Sequence, residues 1–129
     1  MFYSSQVLKA ALAAIATLEV VSAQTDNERA LYKDFADAMD TSGDMYGWSR
    51  HEAVTEDGYK LSLFRITSDA AGNAITDTRG PILLTPGLYS DSLDWLNKTD
   101  VLEAATPIAL ANLGFDVWIG EPRGRQYSD

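Results

Sequence analysis

Two apolar runs, Pro81-Ile-Leu-Leu-Thr-Pro-Gly-Leu88 and Leu113-Gly-Phe-Asp-Val-Trp-Ile-Gly-Glu-Pro-Arg-Gly124, constrain this chain more than any other feature. Ile82-Leu-Leu84 is unbroken by polar residues and bounded by Pro and Gly, which predicts a strand buried on both faces of a parallel sheet. Thr106-Pro107 predicts a helix start, with Thr106 as the cap and proline at the first helical position; Gly114 fits the left-handed residue that ends such a helix. Phe115 to Ile119 is then the next strand. Strand, helix and strand in this order form a βαβ unit, and the short crossover makes the two strands a parallel pair. The fold class read from these residues is α/β.

Upstream of that unit the period changes. Tyr59, Leu61 and Leu63 alternate with Lys60 and Ser62, and Asp57-Gly58 supplies the short turn of a hairpin over residues 51 to 66, an antiparallel edge of the sheet. Ser68 to Gly80 has turn-forming residues without apolar periodicity and reads as a loop or long hairpin tip. Earlier still, Thr25-Asp-Asn-Glu28 has the spacing of a capping box. Leu31, Phe35 and Met39 then recur every four residues, with Tyr32 and Ala36 beside them, until Asp40-Thr-Ser-Gly43 breaks the pattern. That stripe predicts an N-terminal helix docked on the domain; contact with a lipid surface is the alternative use of the same face.

Composition narrows the partners. The chain has 129 residues, 46% of them hydrophobic, so it can bury a core within one ordinary domain. Its 10 basic and 19 acidic residues give a net charge of -9, which repels nucleic acid and anionic membrane surfaces. The absence of cysteine excludes a disulfide framework, a thiolate metal site and a Cys nucleophile. Lys9, the small-apolar run from Ala10 to Leu18 and Val21-Ser-Ala23 resemble an export signal cleaved after Ala23, with a mature amphipathic N-terminal helix as the alternative. Export would make Asn97-Lys-Thr99 an N-glycosylation acceptor on a surface loop. The resulting division is a signal at 1–23, a helix and linker at 24–45, and an α/β region at 46–129.

Val54-Thr-Glu-Asp-Gly-Tyr59 with Leu61, then Gly87-Leu88 with Trp95, then Gly114-Phe-Asp-Val-Trp118 with Gly120 and Arg123-Gly124 follow one another in this order. In this the stretch from Tyr46 to Asp129 resembles the N-terminal part of the acid lipase family, the α/β-hydrolases that include gastric and lysosomal acid lipases. The resemblance implies a partial α/β-hydrolase fold and a secreted or lysosomal protein that acts on neutral lipid esters or at a lipid interface, without a cofactor. It implies attack by serine on an ester carbonyl, histidine as base, an acid orienting it, and backbone N–H donors for the oxyanion. One of those donors falls on Leu88, with Gly87 supporting the turn that presents it. Pro86 departs from the family's usual histidine; it either sets the turn or signals a relaxed or inactive site. Glu121 and Arg125 stand where the family usually carries asparagines. Asp116, Arg123 and Tyr127 could structure this loop beside a pocket, although a salt-bridged surface turn is the simpler role, and Asp94 and Trp95 read as packing residues.

The remaining chemistry is incomplete. No Gly-x-Ser-x-Gly occurs, and the single histidine, His51, lies upstream of the first predicted buried strand, whereas α/β-hydrolases present Ser, acid and His in that chain order. His51 is expected to open a hairpin strand as an exposed or capped residue. Glu52, Glu56 and Asp57 could hold calcium loosely, although a solvated turn accounts for them better, and no metal site is expected. Gly120 to Gly124 lacks the lysine and spacing of a phosphate loop. The expectation is therefore the leading portion of a neutral-lipid esterase, inactive by itself. The alternatives are a secreted non-catalytic lipid-binding or interaction module of the same fold, and a truncated reading frame without a stable product. Oligomeric state is left open.

Overall fold

The computed structural model describes residues 26–40, 46–76, 79–97 and 101–128. The export signal and Thr25 of the capping box lie outside the described residues, as do Lys98 and Thr99 of the glycosylation triplet.

Alternating polar and apolar residues fold into a hairpin of β1 (Trp48–Val54) and β2 (Lys60–Ile66), paired antiparallel with Trp48 opposite Ile66 and Val54 opposite Lys60. Gly58 takes φ +90 in the connection, where its N–H donates to the Thr55 carbonyl at 2.9 Å. β3 (Pro81–Leu84) and β4 (Asp116–Gly120) pair in parallel, Leu84 opposite Ile119, and β4 also pairs antiparallel with β2. The sheet order is β1-β2-β4-β3; the two apolar runs form the expected parallel pair, and the arrangement is consistent with the partial α/β-hydrolase fold that the resemblance implies. Between Ser68 and Gly80 an isolated antiparallel bridge joins Ser68 to Ala74, as in a hairpin tip.

The N-terminal helical segment is two short helices, α1 (Asp26–Leu31) and α2 (Lys33–Met39), broken at Tyr32. Its docked face differs from the expected stripe. Phe35, Ala36 and Met39 are buried with Tyr32 packed beside them, while Leu31 is 65% exposed. Tyr32, Phe35, Ala36 and Met39 are the i, i+3, i+4, i+7 set of one helical face, and the four-residue recurrence through Leu31 drifts off it.

The crossover helix α3 (Thr106–Asn112) has Pro107 in its first turn. Its cap residue is Ala105 rather than Thr106, without a side-chain cap bond. At the other end Gly114 holds φ +90, its N–H donates to Ala111 O at 2.9 Å, and the Phe115 N–H donates to Leu110 O at 3.2 Å. This pair of bonds is a Schellman motif, and it turns the chain directly into β4.

Both helical segments pack on one face of the sheet. Phe64 is 1% exposed and stacks on Phe35 with centroids 3.9 Å apart, while Trp48 meets both rings edge-on. Val117, Ile119 and Ile108 complete this core at 0% exposure. Fully burying each such side chain contributes about 1.5–3 kcal/mol. The opposite face carries His51, Leu63, Arg65, Trp118 and Leu83, and Arg65 pairs with Asp116 at 2.7 Å while lying over the Trp118 ring. The two-sided burial expected of Ile82-Leu-Leu84 is not observed. Exposure alternates along β3 and Leu83 is 57% exposed, because α3 covers one face only and β4 is the only strand paired with β3 among the described residues.

Candidate active site

Parallel pairing brings the carboxyl ends of β3 and β4 side by side, so the segments leaving Leu84 and Gly120 are neighbours. Ligands of open α/β sheets bind at such strand ends. After Thr85 and half-buried Pro86, residues 87–90 form a turn closed by the Ser90 N–H donating to Gly87 O at 3.1 Å. Tyr89 has φ 63, and it is the single non-glycine residue with positive φ among those described. An i to i+3 bond with positive φ at the third residue alone is the signature of a type II turn. Gly87 therefore serves the turn through its carbonyl; its own φ is not left-handed, and a Cβ built there meets nothing within 4 Å. Leu88 and Tyr89 are 88% and 87% exposed at the tip, and no group among the described residues accepts the Leu88 N–H.

Asp91 follows in an extended conformation, its Oδ1 accepting from the Leu93 N–H at 3.0 Å to cap a single 3-10 turn over Ser92–Trp95. Asp94 accepts from the Ser90 hydroxyl, and Trp95 packs against the core. Both therefore hold the loop, as expected of packing residues. Asn97 is exposed at the end of this segment.

Glu121 departs from the surface turn expected of residues 121–125, for it is only 3% exposed. Its N–H donates to Ser62 O at 2.9 Å, its carbonyl accepts from the Ser128 hydroxyl at 3.0 Å, and its Oε2 accepts from the Ser92 N–H at 2.8 Å. Oε1 and the Ser92 Oγ are buried without a hydrogen-bond partner among the described residues. Strand parity carries the signal for this burial: Val117 and Ile119 face the core, and position 121 continues the same face. Arg123, by contrast, is ion-paired at the surface. It holds Asp57 through two bonds of 2.7 and 2.8 Å and lies over the Tyr59 ring, so Asp57 sits well below the usual carboxylate range, at about 2. Glu52 is engaged by Arg50 at 3.0 Å, and Arg125 is half-buried. Tyr127 packs edge-on against Tyr32 and Phe64, and burial pushes its hydroxyl pKa up. A depression of about 300 Å³ opens beside it, lined by Leu31, Tyr32, Arg50, Glu52, Lys60, Gln126, Tyr127 and Ser128, and none of these belongs to the Leu88 loop.

His51 is not an exposed strand opener. It lies mid-strand in β1 and half-buried, its Nε2 3.0 Å from the Ser49 hydroxyl and its ring 4.8 Å from that of Trp118. Burial foremost, then Arg65 and Arg50, lowers its pKa below 6.5. Since β2 and β4 separate β1 from β3, the imidazole is about three strand spacings, roughly 14 Å, from the β3 end, beyond proton-transfer reach of an ester held there. Among the described residues no three His, Cys, Asp or Glu side chains gather in a metal-binding group.

Comparison with known proteins accords with this geometry. A family model described as a partial alpha/beta-hydrolase lipase region matches residues 42–99. Triacylglycerol lipase 2 of Arabidopsis thaliana is 40% identical over 86 residues, covering 64% of this chain and 20% of the relative. A Crotalus adamanteus protein provisionally named lysosomal acid lipase/cholesteryl ester hydrolase is 35% identical over 83 residues, and the gastric triacylglycerol lipase of Rattus norvegicus is 31% identical over 83, each covering 64% of this chain and 20% of the relative. The chain thus spans about one fifth of the length of these curated relatives. By the matched residues and the sheet order, the chain is similar to the α/β-hydrolase lipases across their partial lipase region.

Proposed function

We propose that these residues are the leading part of a lipase that hydrolyses neutral lipid esters, and that the Leu88 N–H is one of its oxyanion donors. The observation that carries the reading is the turn at the carboxyl end of β3, where an unoccupied backbone N–H lies in the loop following a core strand. Such a donor, fixed in advance where negative charge develops, contributes about 3 kcal/mol to the transition state. Pro86 is accommodated at the entrance to this turn and removes an imidazole and one N–H without touching the Leu88 amide. The nucleophile, acid and base are assigned to residues outside this sequence, since it contains no Gly-x-Ser-x-Gly and its one histidine is distant from the β3 end. The 129 residues alone are accordingly inactive.

Export through the first 23 residues, with cleavage after Ala23, glycosylation at Asn97 and residence outside the cell or in the lysosome, belong to the same proposal. The gastric and lysosomal names of two relatives support it. The second reading, a non-catalytic lipid-binding module, is favoured by Pro86 alone. A fluorophosphonate probe separates the two. The secreted product of the complete gene is expected to be labelled at serine and to release fatty acid from triacylglycerol or sterol ester emulsions. A product that binds the emulsion without labelling or hydrolysis would establish the module instead.

A further inference from the structure

Residues 87–94 are tied together by hydrogen bonds of their own. The turn bond from Ser90 to Gly87, the Ser90 hydroxyl to Asp94, the Asp91 cap on Leu93 and the bond from Asp94 N–H to Asp91 O all stay within this stretch. Internal bonds fix the shape of a loop but not its position on the sheet. Among the described residues, the hydrogen bond that ties residues 87–94 to the sheet is the one from Ser92 N–H to Glu121 Oε2, at 2.8 Å. Glu121 is itself held on two sides, by its N–H to Ser62 on β2 and by Ser128 on its carbonyl. Its side chain is buried, so solvent competes little for the bond.

We propose that Glu121 is a positioning residue for the Leu88 amide, setting the loop after β3 against the end of β4 through Ser92. The assignment rests on the lipase reading for what the loop does, but not for how it is held. The geometry is that of a single hydrogen-bond anchor beside the packing of Leu93 and Trp95 on the core. Ser92 begins the 3-10 turn, Leu88 lies four residues upstream across a closed turn, and displacement of Ser92 moves the whole unit. The carboxylate is the part that matters. Its second oxygen makes no hydrogen bond among the described residues, so the hold on the loop passes through Oε2.

Hydrogen exchange read by mass spectrometry on the full chain tests this without requiring turnover. A bond to a charged group is worth about tenfold or more in a local opening equilibrium, so Glu121→Ala should speed exchange across residues 87–94 by roughly that factor while peptides from β2 and β4 keep their wild-type rates. Glu121→Gln, whose amide oxygen can accept the same N–H, should stay within about threefold of wild type. Ser92→Pro provides the second route if the alanine variant does not fold. Asp91 is already extended and Ser92 is the first residue of its turn, so proline suits the backbone there and deletes the N–H together with the hydroxyl. It should loosen the same peptide.

Unchanged exchange in both the alanine and proline variants would overturn the anchor, and so would equal loosening of loop and sheet. In the complete enzyme, Glu121→Ala should lower kcat about tenfold with KM little changed. A loosened loop with unchanged kcat in an active enzyme would overturn the positioning role. A loosened loop in a protein that hydrolyses no ester would uphold the anchor and remove the lipase reading.

Discussion

Tyr89 holds a left-handed φ of 63 at the loop tip with its ring 87% exposed, so its strain is not repaid by burial of the side chain. A left-handed L-residue costs about 1–2 kcal/mol, and asparagine tolerates the region better. Tyr89→Asn is therefore expected to stabilise the fold by about 1 kcal/mol, raising the thermal midpoint by roughly 3–5 °C in a chain of this size. An unchanged or lower midpoint would mean that the turn does not store strain. Asp57 is a second residue with a readable signature. Its carboxyl is held at about 2, mainly by the Arg123 side chain and then by Thr55, against an ordinary value of 3.8. A folded-state value below the unfolded one means that the contribution is present above pH 3.8 and is lost as pH falls through about 2. Carbon-detected NMR titration should find this midpoint, and Arg123→Ala should return it towards 3.8.

At the scale of elements, the stack of Phe35, Phe64 and Trp48 joins α2 to the hairpin, and Phe64 on β2 is its centre. Truncating a fully buried phenylalanine typically costs about 3–5 kcal/mol, so Phe64→Ala should lose most or all of the cooperative unfolding transition seen by calorimetry. The opposite sheet face gives a pH signature through His51. Its folded pKa is lowered, so the unfolded chain binds the proton more readily and stability declines as pH drops below 6.5. Proton NMR should place the His51 midpoint below 6.5, with Arg65→Ala moving it upward by removing one of the charges that oppose protonation.

These elements also mark how far local pattern carries. The hairpin, the crossover helix and its Gly114 end are legible because alternation and capping are encoded within a few residues. One-sided burial of β3 is not legible, since an apolar run states what a strand can bury and not which neighbours cover it. The break at Tyr32 rotates the helical face away from Leu31, which a simple four-residue count cannot register. In the candidate site, the Gly87-Leu88 loop is found from sequence and strand parity signals the burial of Glu121; a left-handed Tyr89 is not legible because no glycine marks that turn position, and the bond from Ser92 to Glu121 joins residues 29 positions apart.

At the scale of the whole molecule, a four-stranded sheet with helices on one face brings the loop after β3, with its unoccupied Leu88 N–H, beside the end of β4. The net charge of -9 disfavours anionic partner surfaces. The most direct measurement is kcat of the complete enzyme on a neutral lipid ester with and without Leu88→Pro. Leu88 occupies the second position of a type II turn, where proline is at home, so the substitution deletes the N–H with little disturbance of the fold. Loss of one oxyanion donor should reduce kcat by about 10²–10³ with KM and thermal midpoint nearly unchanged. A variant that turns over at the wild-type rate would contradict the assignment of the Leu88 amide as an oxyanion donor.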